Sequence, residues 1–304
     1  MKLEGLASFV AVAETGSISR AAKRLNLSTS VVSERLARLE RDVGAALVHR
    51  TTRKLTLTED GAAFRGRAAA ILREVDAAAV EIAERRGGLV GPLRLSAPLS
   101  FGVLHLGRAL YPFLTQHPGV ELIVELDDDF VDVAAGGYDA VVRIGQVADN
   151  RLVAHRLAPS RRALVAAPAY LERHGYPRTL DDLSGHRAIN YSNRGAEDWR
   201  FKTSDGMRIA RPRAILRVNN GDLMREAAEA GLGLALLPTF ITGEALASGH
   251  LKVVRIDGEA ETDTVQVVYP KALGIPSKVK ALVEHLRARF GDPPYWDRAI
   301  DQET

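Results

Sequence analysis

Residues 17–44 read SISRAAKRLNLSTSVVSERLARLERDVG, and their spacing decides the fold of the N-terminal module. Ser17 precedes Ile18, Ala21, Ala22 and Leu25, apolar positions three and four apart, so the stretch opens as a capped amphipathic helix. Asn26-Leu27 makes a short turn. Ser28 or Thr29 then caps a second helix, in which Val32, Leu36, Leu39 and Val43 form one apolar stripe and Gly44 marks the end. Two helices joined by a turn of a few residues, the second capped and basic, make the helix-turn-helix pattern. A rotation of about 100° per residue turns Ser30, Ser33, Glu34, Ala37, Arg38 and Arg41 away from the stripe. Small polar residues in the first turns let the backbone approach base edges, and arginines further along reach phosphate. Any amphipathic surface helix can carry such a face, but the capped helix and tight turn before it separate this one from the rest.

Upstream, Leu6, Phe9, Val10 and Ala13 define a first helix that stops at Gly16. Downstream, Leu47, Val48, Leu55 and Leu57 predict two short strands around the basic bend Arg50-Thr51-Thr52-Arg53-Lys54, a wing whose cations suit the phosphate backbone. Residues 17–67 hold 11 Lys/Arg against 5 Asp/Glu, a net +6, although the whole chain carries only +3. The positive charge therefore belongs to this module, which points to a polyanion as its partner. Thr58, followed by Glu59 and Asp60, starts a long alanine-rich helix running to about Arg86, which reads as a linker that pairs with a second chain.

Arg85-Arg86-Gly87-Gly88-Leu89-Val90-Gly91-Pro92 is the clearest boundary. Beyond it, strands near 93–95, 120–126, 138–144, 163–167, 215–218, 234–237 and 264–268 alternate with helices at 100–115, 168–174, 222–230 and 277–289. That alternation predicts mostly parallel α/β sheets, with enough chain for two lobes. The 304 residues suit about two domains. The chain has no cysteine, which excludes disulfides, thiolate metal sites and thiol catalysis or sensing. No apolar run approaches a membrane span, and Met1-Lys2-Leu3-Glu4 does not open a secretory signal, so a cytoplasmic protein with no membrane partner is expected. No HExxH, P-loop or G-x-S-x-G pattern occurs, and Gly231-x-Gly233 precedes a strand instead of following one. No enzyme activity, metal or cofactor is expected. Asp127-Asp128-Asp129 reads as solvated or capping, since three adjacent acids cannot all face one ion from an extended loop.

Ser19-Arg20-Ala21-Ala22-Lys23-Arg24-Leu25 with Ser33, Leu36 and Leu39-Glu40, then Gly44, His49-Arg50-Thr51-Thr52-Arg53 and Leu55-Thr56-Leu57-Thr58, resembles the LysR-type transcriptional regulator signature. The second half agrees in Leu95-Ser96-Ala97-Pro98, in residues 138–145 (Tyr138 to Gly145), in Ala167-Pro168-Ala169-Tyr170-Leu171 and in residues 231–238 (Gly231 to Pro238). The resemblance covers nearly the whole chain. It implies a mixed α/β architecture of three parts. Residues 1–58 form a winged helix-turn-helix that binds double-stranded DNA, and residues 59–90 form a linker and dimerisation helix with its hinge. Residues 91–304 form a two-lobed, Rossmann-like effector domain resembling a periplasmic binding protein. Its lobes are expected at about 91–162 with 269–304 and at about 163–268. The resemblance further implies self-association as a dimer or tetramer, an upstream palindromic operator, and RNA polymerase as a candidate partner. Two rivals are weighed against it: an α/β solute-binding or enzymatic domain with an incidental helical module, and a nucleoid-type DNA binder without an effector.

The expected DNA contacts are Ser17, Arg20, Thr29, Ser30, Ser33, Glu34 and Arg38 on the helices, with Arg50, Arg53 and Lys54 on phosphate. Glu34 departs from the family pattern: it can accept from cytosine N4, repel phosphate, or pair with Arg38 one turn on, the last being favoured. Val48 stands where the family usually has phenylalanine. For the effector, Ser96, Leu99, Ser100 and Phe101 border a helix N-terminus suited to a carboxylate. Asn219 and Asn220 would supply the opposite wall, Arg143 lies near a strand end as a ligand group or a structural ion pair, and Phe201 near Trp199 either lines the cleft or is core. A carboxylate or aromatic metabolite is the expected effector.

Overall fold

The computed structural model describes residues 1–50, 55–84, 88–128, 133, 137–192, 198–271, 275–298 and 300. Helices α1 (Leu3–Thr15), α2 (Ile18–Arg24) and α3 (Thr29–Val43) pack around Leu6, Phe9, Val12, Val32, Leu36 and Leu39. The apolar stripe of α3 is thus inward-facing, except that Val43, in its last turn, is exposed. Ser17 Oγ accepts from the Arg20 N–H and Ser28 Oγ from the Val31 N–H, so Ser28 and not Thr29 caps α3. Asn26 makes the turn between α2 and α3 at φ +53°, a left-handed conformation that asparagine tolerates.

The strands β1 (Val48–Arg50) and β2 (Leu55–Leu57) pair antiparallel, and α4 (Glu59–Glu84) follows. At 1.5 Å per residue its 26 residues span roughly 39 Å. Its first half belongs to the N-terminal core: Ala68 is buried there and the Phe64 ring lies 5.7 Å from Phe9. Thr58 caps α4 by accepting from the Gly61 N–H, and its hydroxyl donates to the Ala46 carbonyl. Gly61 has no room for a side chain, because a Cβ would stand 2.0 Å from the Leu47 carbonyl oxygen.

The C-terminal body begins with β3 (Val90–Ala97), then one helical run of residues 99–116: α5 (Leu99–Phe101), a π-helical turn (Gly102–Leu106) and α6 (Gly107–Gln116). Next come β4 (Gly119–Leu126), β5 (Ala140–Ile144), β6 (Leu152–Ser160), β7 (Arg162–Ala166), α7 (Pro168–His174) and β8 (Arg187–Tyr191). They are followed by β9 (Trp199–Thr203), β10 (Gly206–Ala210), β11 (Arg213–Val218), α8 (Gly221–Glu229), β12 (Leu234–Pro238) and α9 (Thr239–Ala247). The series closes with β13 (Lys252–Val253), β14 (Glu259–Ala260), β15 (Asp263–Pro270) and α10 (Ser277–Phe290).

The first lobe is a five-stranded sheet in the order β4-β3-β5-β15-β6, and the second has the order β11-β8-β12-β7-β13. A small sheet, β10-β9-β14, flanks the second lobe. The sheets are mixed, not mostly parallel. β3 runs parallel to β4 and β5, and β8 parallel to β11 and β12, whereas β15 and β7 run antiparallel to their neighbours. β7 and β15 are the strands that enter a lobe from the other one, with no helix to carry the chain back to the starting end. The expected lobe boundary also moves: β15 starts at Asp263 and sits in the first sheet, so residues 263–268 belong to the first lobe.

One core cluster runs through both lobes, from Leu93 and Phe113 in the first to Ile189, Met224 and Phe240 in the second. A separate cluster around Trp199, Phe201 and Tyr170 lies under the small sheet.

Replacing Gly61 with Ala should destabilise the N-terminal module by roughly 1–3 kcal/mol, since the obstacle is backbone and cannot rotate aside. Urea unfolding of the full chain monitors it; an unchanged midpoint would show that α4 can slide off Leu47.

Candidate DNA-recognition face and inter-lobe cleft

Thr29, Ser30, Glu34 and Arg38 are exposed along α3, with Ser33 half-buried beside them. Ser30 Oγ lies 2.8 Å from Ser28 Oγ, so the cap also orients the first polar side chain of the face. Arg20 and Arg38 make no ion pair among the described residues. Arg24 and Arg35, by contrast, are spent on α1, against Glu14 at 2.6 Å and Glu4 at 3.3 Å. The favoured Glu34–Arg38 pair does not form: Glu34 instead borders a groove between α1 and α3 with Lys2, Arg35 and Arg38. Arg53 and Lys54 lie outside the described residues, as does the side chain of Arg50.

Sequence reading missed Glu40 as a structural anchor. Its Oε1 accepts from the N–H of Leu47 at 2.9 Å and of Val48 at 3.3 Å, tying the root of β1 to α3. The signal was present in Leu39-Glu40, but only the fold brings the carboxylate seven residues along to the strand.

In the body, the run beginning at Leu99 and helix α8 meet across the lobes. A Cβ on Gly221, the first residue of α8, would stand 3.6 Å from Ser100 Oγ. Ser96 and Ser100 are 0% and 6% exposed, and neither hydroxyl has a hydrogen-bond partner among the described residues. Asn220 is half-buried and spends its Oδ1 on the Leu223 N–H, capping α8, while Asn219 is exposed. Asn190, at the carboxyl end of β8, is 3% exposed, and its Oδ1 has no partner among the described residues. Arg143 is half-buried at the end of β5; burial pushes its guanidinium down from its ordinary value, against the opposing pull of Asp127, Tyr138 and Asp128. Tyr138 donates to Glu125, and burial first, then that bond, pushes its phenol up to about 12.

Three expectations change here. The helix N-terminus expected to take a carboxylate ligand already has one, since the Leu99 N–H donates to Asp128 Oδ1 at 3.0 Å. Phe101 is fully buried and stacks edge-on against Phe240, Phe290 and Trp296 at 5.3–5.8 Å, so it is core and not lining. Phe201 is also core, in the cluster under the small sheet, and is not brought to Ser100. Alternating apolar residues mark a buried face, but from sequence they do not say which core a ring enters.

The lobes are fastened where the C-terminal segment Tyr295–Asp297 crosses α9. Thr239 donates to the buried Asp297 carboxylate at 2.5 Å, and Arg161, the single residue between β6 and β7, lies 3.8 Å from it. His105 in the π turn lies between Phe240 O at 2.8 Å and Tyr295 OH at 2.6 Å. A carbonyl only accepts, so Nε2 carries the hydrogen and neutral Nδ1 accepts from tyrosine. Burial, and secondarily Arg108, lower the His105 pKa, opposed by the Phe240 carbonyl and Asp222.

A winged helix-turn-helix joined to a two-lobed body with polar groups facing across the cleft defines a ligand-responsive DNA-binding regulator. Residues 3–62 match the bacterial regulatory helix-turn-helix protein model of the lysR family, and residues 86–291 match the LysR substrate binding domain. The chain belongs to the LysR family of transcriptional regulators, which are not enzymes. It is 33% identical to the HTH-type transcriptional regulator PtxR of Pseudomonas aeruginosa, covering 97% of this chain and 95% of that protein. It is 31% identical to DmlR of Escherichia coli, over 95% of each chain. Among solved structures, CrgA of Neisseria meningitidis is 29% identical with a TM-score of 0.59, over 94% of this chain and 99% of that one. The Vibrio cholerae virulence activator AphB is 25% identical with a TM-score of 0.60, over 95% and 99%. Members of the family bind DNA and small-molecule effectors and form oligomers. Among the described residues, no helix is long and apolar enough to cross a membrane.

Removing the Glu40 carboxylate (Glu40→Ala) leaves two N–H groups at the wing root without their acceptor. It should cost about 1–3 kcal/mol and weaken operator binding, read by thermal melting and gel shift. Native affinity in a stably folded variant would mean the wing does not depend on this tether.

His105 sets a pH dependence. A histidine whose folded pKa is depressed binds fewer protons folded than unfolded, so its contribution to stability is present above the unfolded value of 6.5. It is lost as the pH falls through the folded value. Between about pH 7.5 and about pH 5.5 the melting temperature should drop, and the drop should narrow in His105→Gln. Carboxylates with depressed pKa values, such as Asp149 at about 2, act in the same direction but at lower pH. An identical drop in the variant would clear His105.

Proposed function

We propose that the chain acts from the cytoplasm as a homo-oligomeric regulator whose DNA-reading surface is the exposed start of α3 with the basic wing. Ser17, Arg20, Thr29, Ser30, Ser33, Glu34 and Arg38 face the groove and its edges, and Arg50, Arg53 and Lys54 hold phosphate. The observation that carries this reading is the exposed polar start of α3, with Arg20 and Arg38 in no ion pair among the described residues. Functionally the chain divides into residues 1–58, 59–90 and 91–304. Ile71 and Val75 are exposed along α4, which supports pairing through that helix, and two such pairs would make a tetramer. RNA polymerase is the partner through which such a regulator acts.

The effector is a small polar molecule bound between the lobes, against Ser96, Leu99 and Ser100 on one side and Asn219 and Asn220 on the other, with Arg143 at the rim. Of the two effector chemistries the sequence offers, the aromatic one loses its lining rings to the core and the carboxylate one meets Asp128. Binding would shift the lobe arrangement and thereby the spacing of paired DNA-binding modules, which requires different ligand affinity in the two arrangements.

Arg53→Ala tests the DNA surface: affinity should fall on all sequences and the slope of log affinity against log salt should flatten by about one. An unchanged slope by gel shift would remove Arg53 from the phosphate contacts. A ligand that melts with the protein at higher temperature yet leaves the operator footprint and transcription unchanged would count against the effector role.

A further inference from the structure

We infer that Asp128 is a built-in anion on the first-lobe wall of the cleft, so that the effector meets this wall with hydrogen-bond donors, an amine or hydroxyl group, in place of a carboxylate. The inference rests on the reading of the cleft as the effector site and names the chemistry of its ligand.

Residues 99–116 form an uninterrupted helical run, and the aligned peptide dipoles leave its N-terminus positive. Pro98 has no N–H, so the Leu99 N–H leads the group of donors there, and Asp128 holds it at 3.0 Å from 29 residues away. A ligand carboxylate would have to displace an intramolecular one. It would also face like charge: Glu125 and Asp127 lie with Asp128 at the carboxyl end of β4, where Arg143 of β5 answers Asp127 and Asp128.

An independent observation points to the ligand itself. Among the described residues Ser96 Oγ and Ser100 Oγ are buried without partners, and Ser100 Oγ lies against Gly221 at the start of α8 in the other lobe. Buried polar groups left unpaired are costly, and native proteins rarely keep them. The Asp128 carboxylate can only accept, and the two hydroxyls can accept or donate. An ammonium or hydroxyl group can donate to Asp128 and to the Ser100 hydroxyl, whereas a carboxylate is repelled beside Asp128.

The test uses the full chain and two variants, Asp128→Ala and Asp128→Asn, at matched ionic strength. Acetate in place of chloride should raise the melting temperature of Asp128→Ala by about 2–4 °C, by refilling the helix terminus, and leave the wild type unmoved. Benzoate and benzylamine share a ring and differ in head group. Asp128→Asn should bind benzoate about tenfold more tightly than the wild type does, and benzylamine more weakly. Acetate stabilising both proteins equally, or neither, overturns the inference, as does a wild type that prefers benzoate to benzylamine. Should Asp128→Ala fail to fold, the isosteric Asp128→Asn carries the comparison alone. If Asp128 behaves as stated while no ligand of any class alters the operator footprint, the effector reading fails and takes the ligand chemistry with it, leaving Asp128 only as the cap of the helix terminus.

Discussion

Phe101 is the side chain on which both lobes depend. It follows Leu99 and Ser100 at the start of the run that leaves β3, and its ring packs edge-on against Phe240 of the second lobe, Phe290 of α10 and Trp296 of the C-terminal segment. Edge-to-face aromatic pairs add about 0.5–1.5 kcal/mol each beyond their burial. Among the described residues, the Ser160-to-Arg162 crossing and the return before β15 join the lobes covalently. Their mutual position therefore rests on this cluster, supported by the Thr239–Asp297 bond and by His105 between Phe240 and Tyr295.

The same placement makes the cleft. Because Phe101 is drawn into the shared core, Ser100 one residue earlier is held against the start of α8. Gly221 is small for a matching reason: a Cβ there would strike Ile241 Cδ1 at 2.4 Å. Polar walls and the apolar fastening are thus adjacent in the chain, so a ligand pressing on Ser100 loads the contact between the lobes directly.

Much of this was legible in the sequence, and the rest failed for identifiable reasons. The DNA-binding module was readable because its caps, turn residue and apolar stripe all lie within a few residues of one another. In the body, β6, β8, β9, β10, β13, β14 and α9 are not legible in the sequence, since their patterns are set by tertiary neighbours. Phe101 and Phe201 read as cleft candidates only from their places beside Ser100 and Trp199, and the fold draws both rings into a core. Glu40 and Asp128 act over 7 and 29 residues respectively, so no local window shows what they cap. The Glu34–Arg38 pair had suitable spacing, yet an exposed pair one turn apart is worth only about 0.3–0.5 kcal/mol, too little to dictate a geometry.

The wing root explains how a change in the body can matter to DNA. Leu47 is held three ways: its N–H by Glu40 of α3, its carbonyl against Gly61 of α4, and its neighbour Ala46 by the Thr58 hydroxyl. Recognition helix, wing and linker helix therefore meet at one residue with no slack between them. The first half of α4 is part of the module's core through Phe64 and Ala68, so the module has no joint of its own before the helix leaves it. Any rotation of α4 must then carry α3 and the wing as one rigid body. Over roughly 39 Å of helix, a tilt of a few degrees moves that body by a few ångströms, on the scale that separates matched from mismatched half-sites.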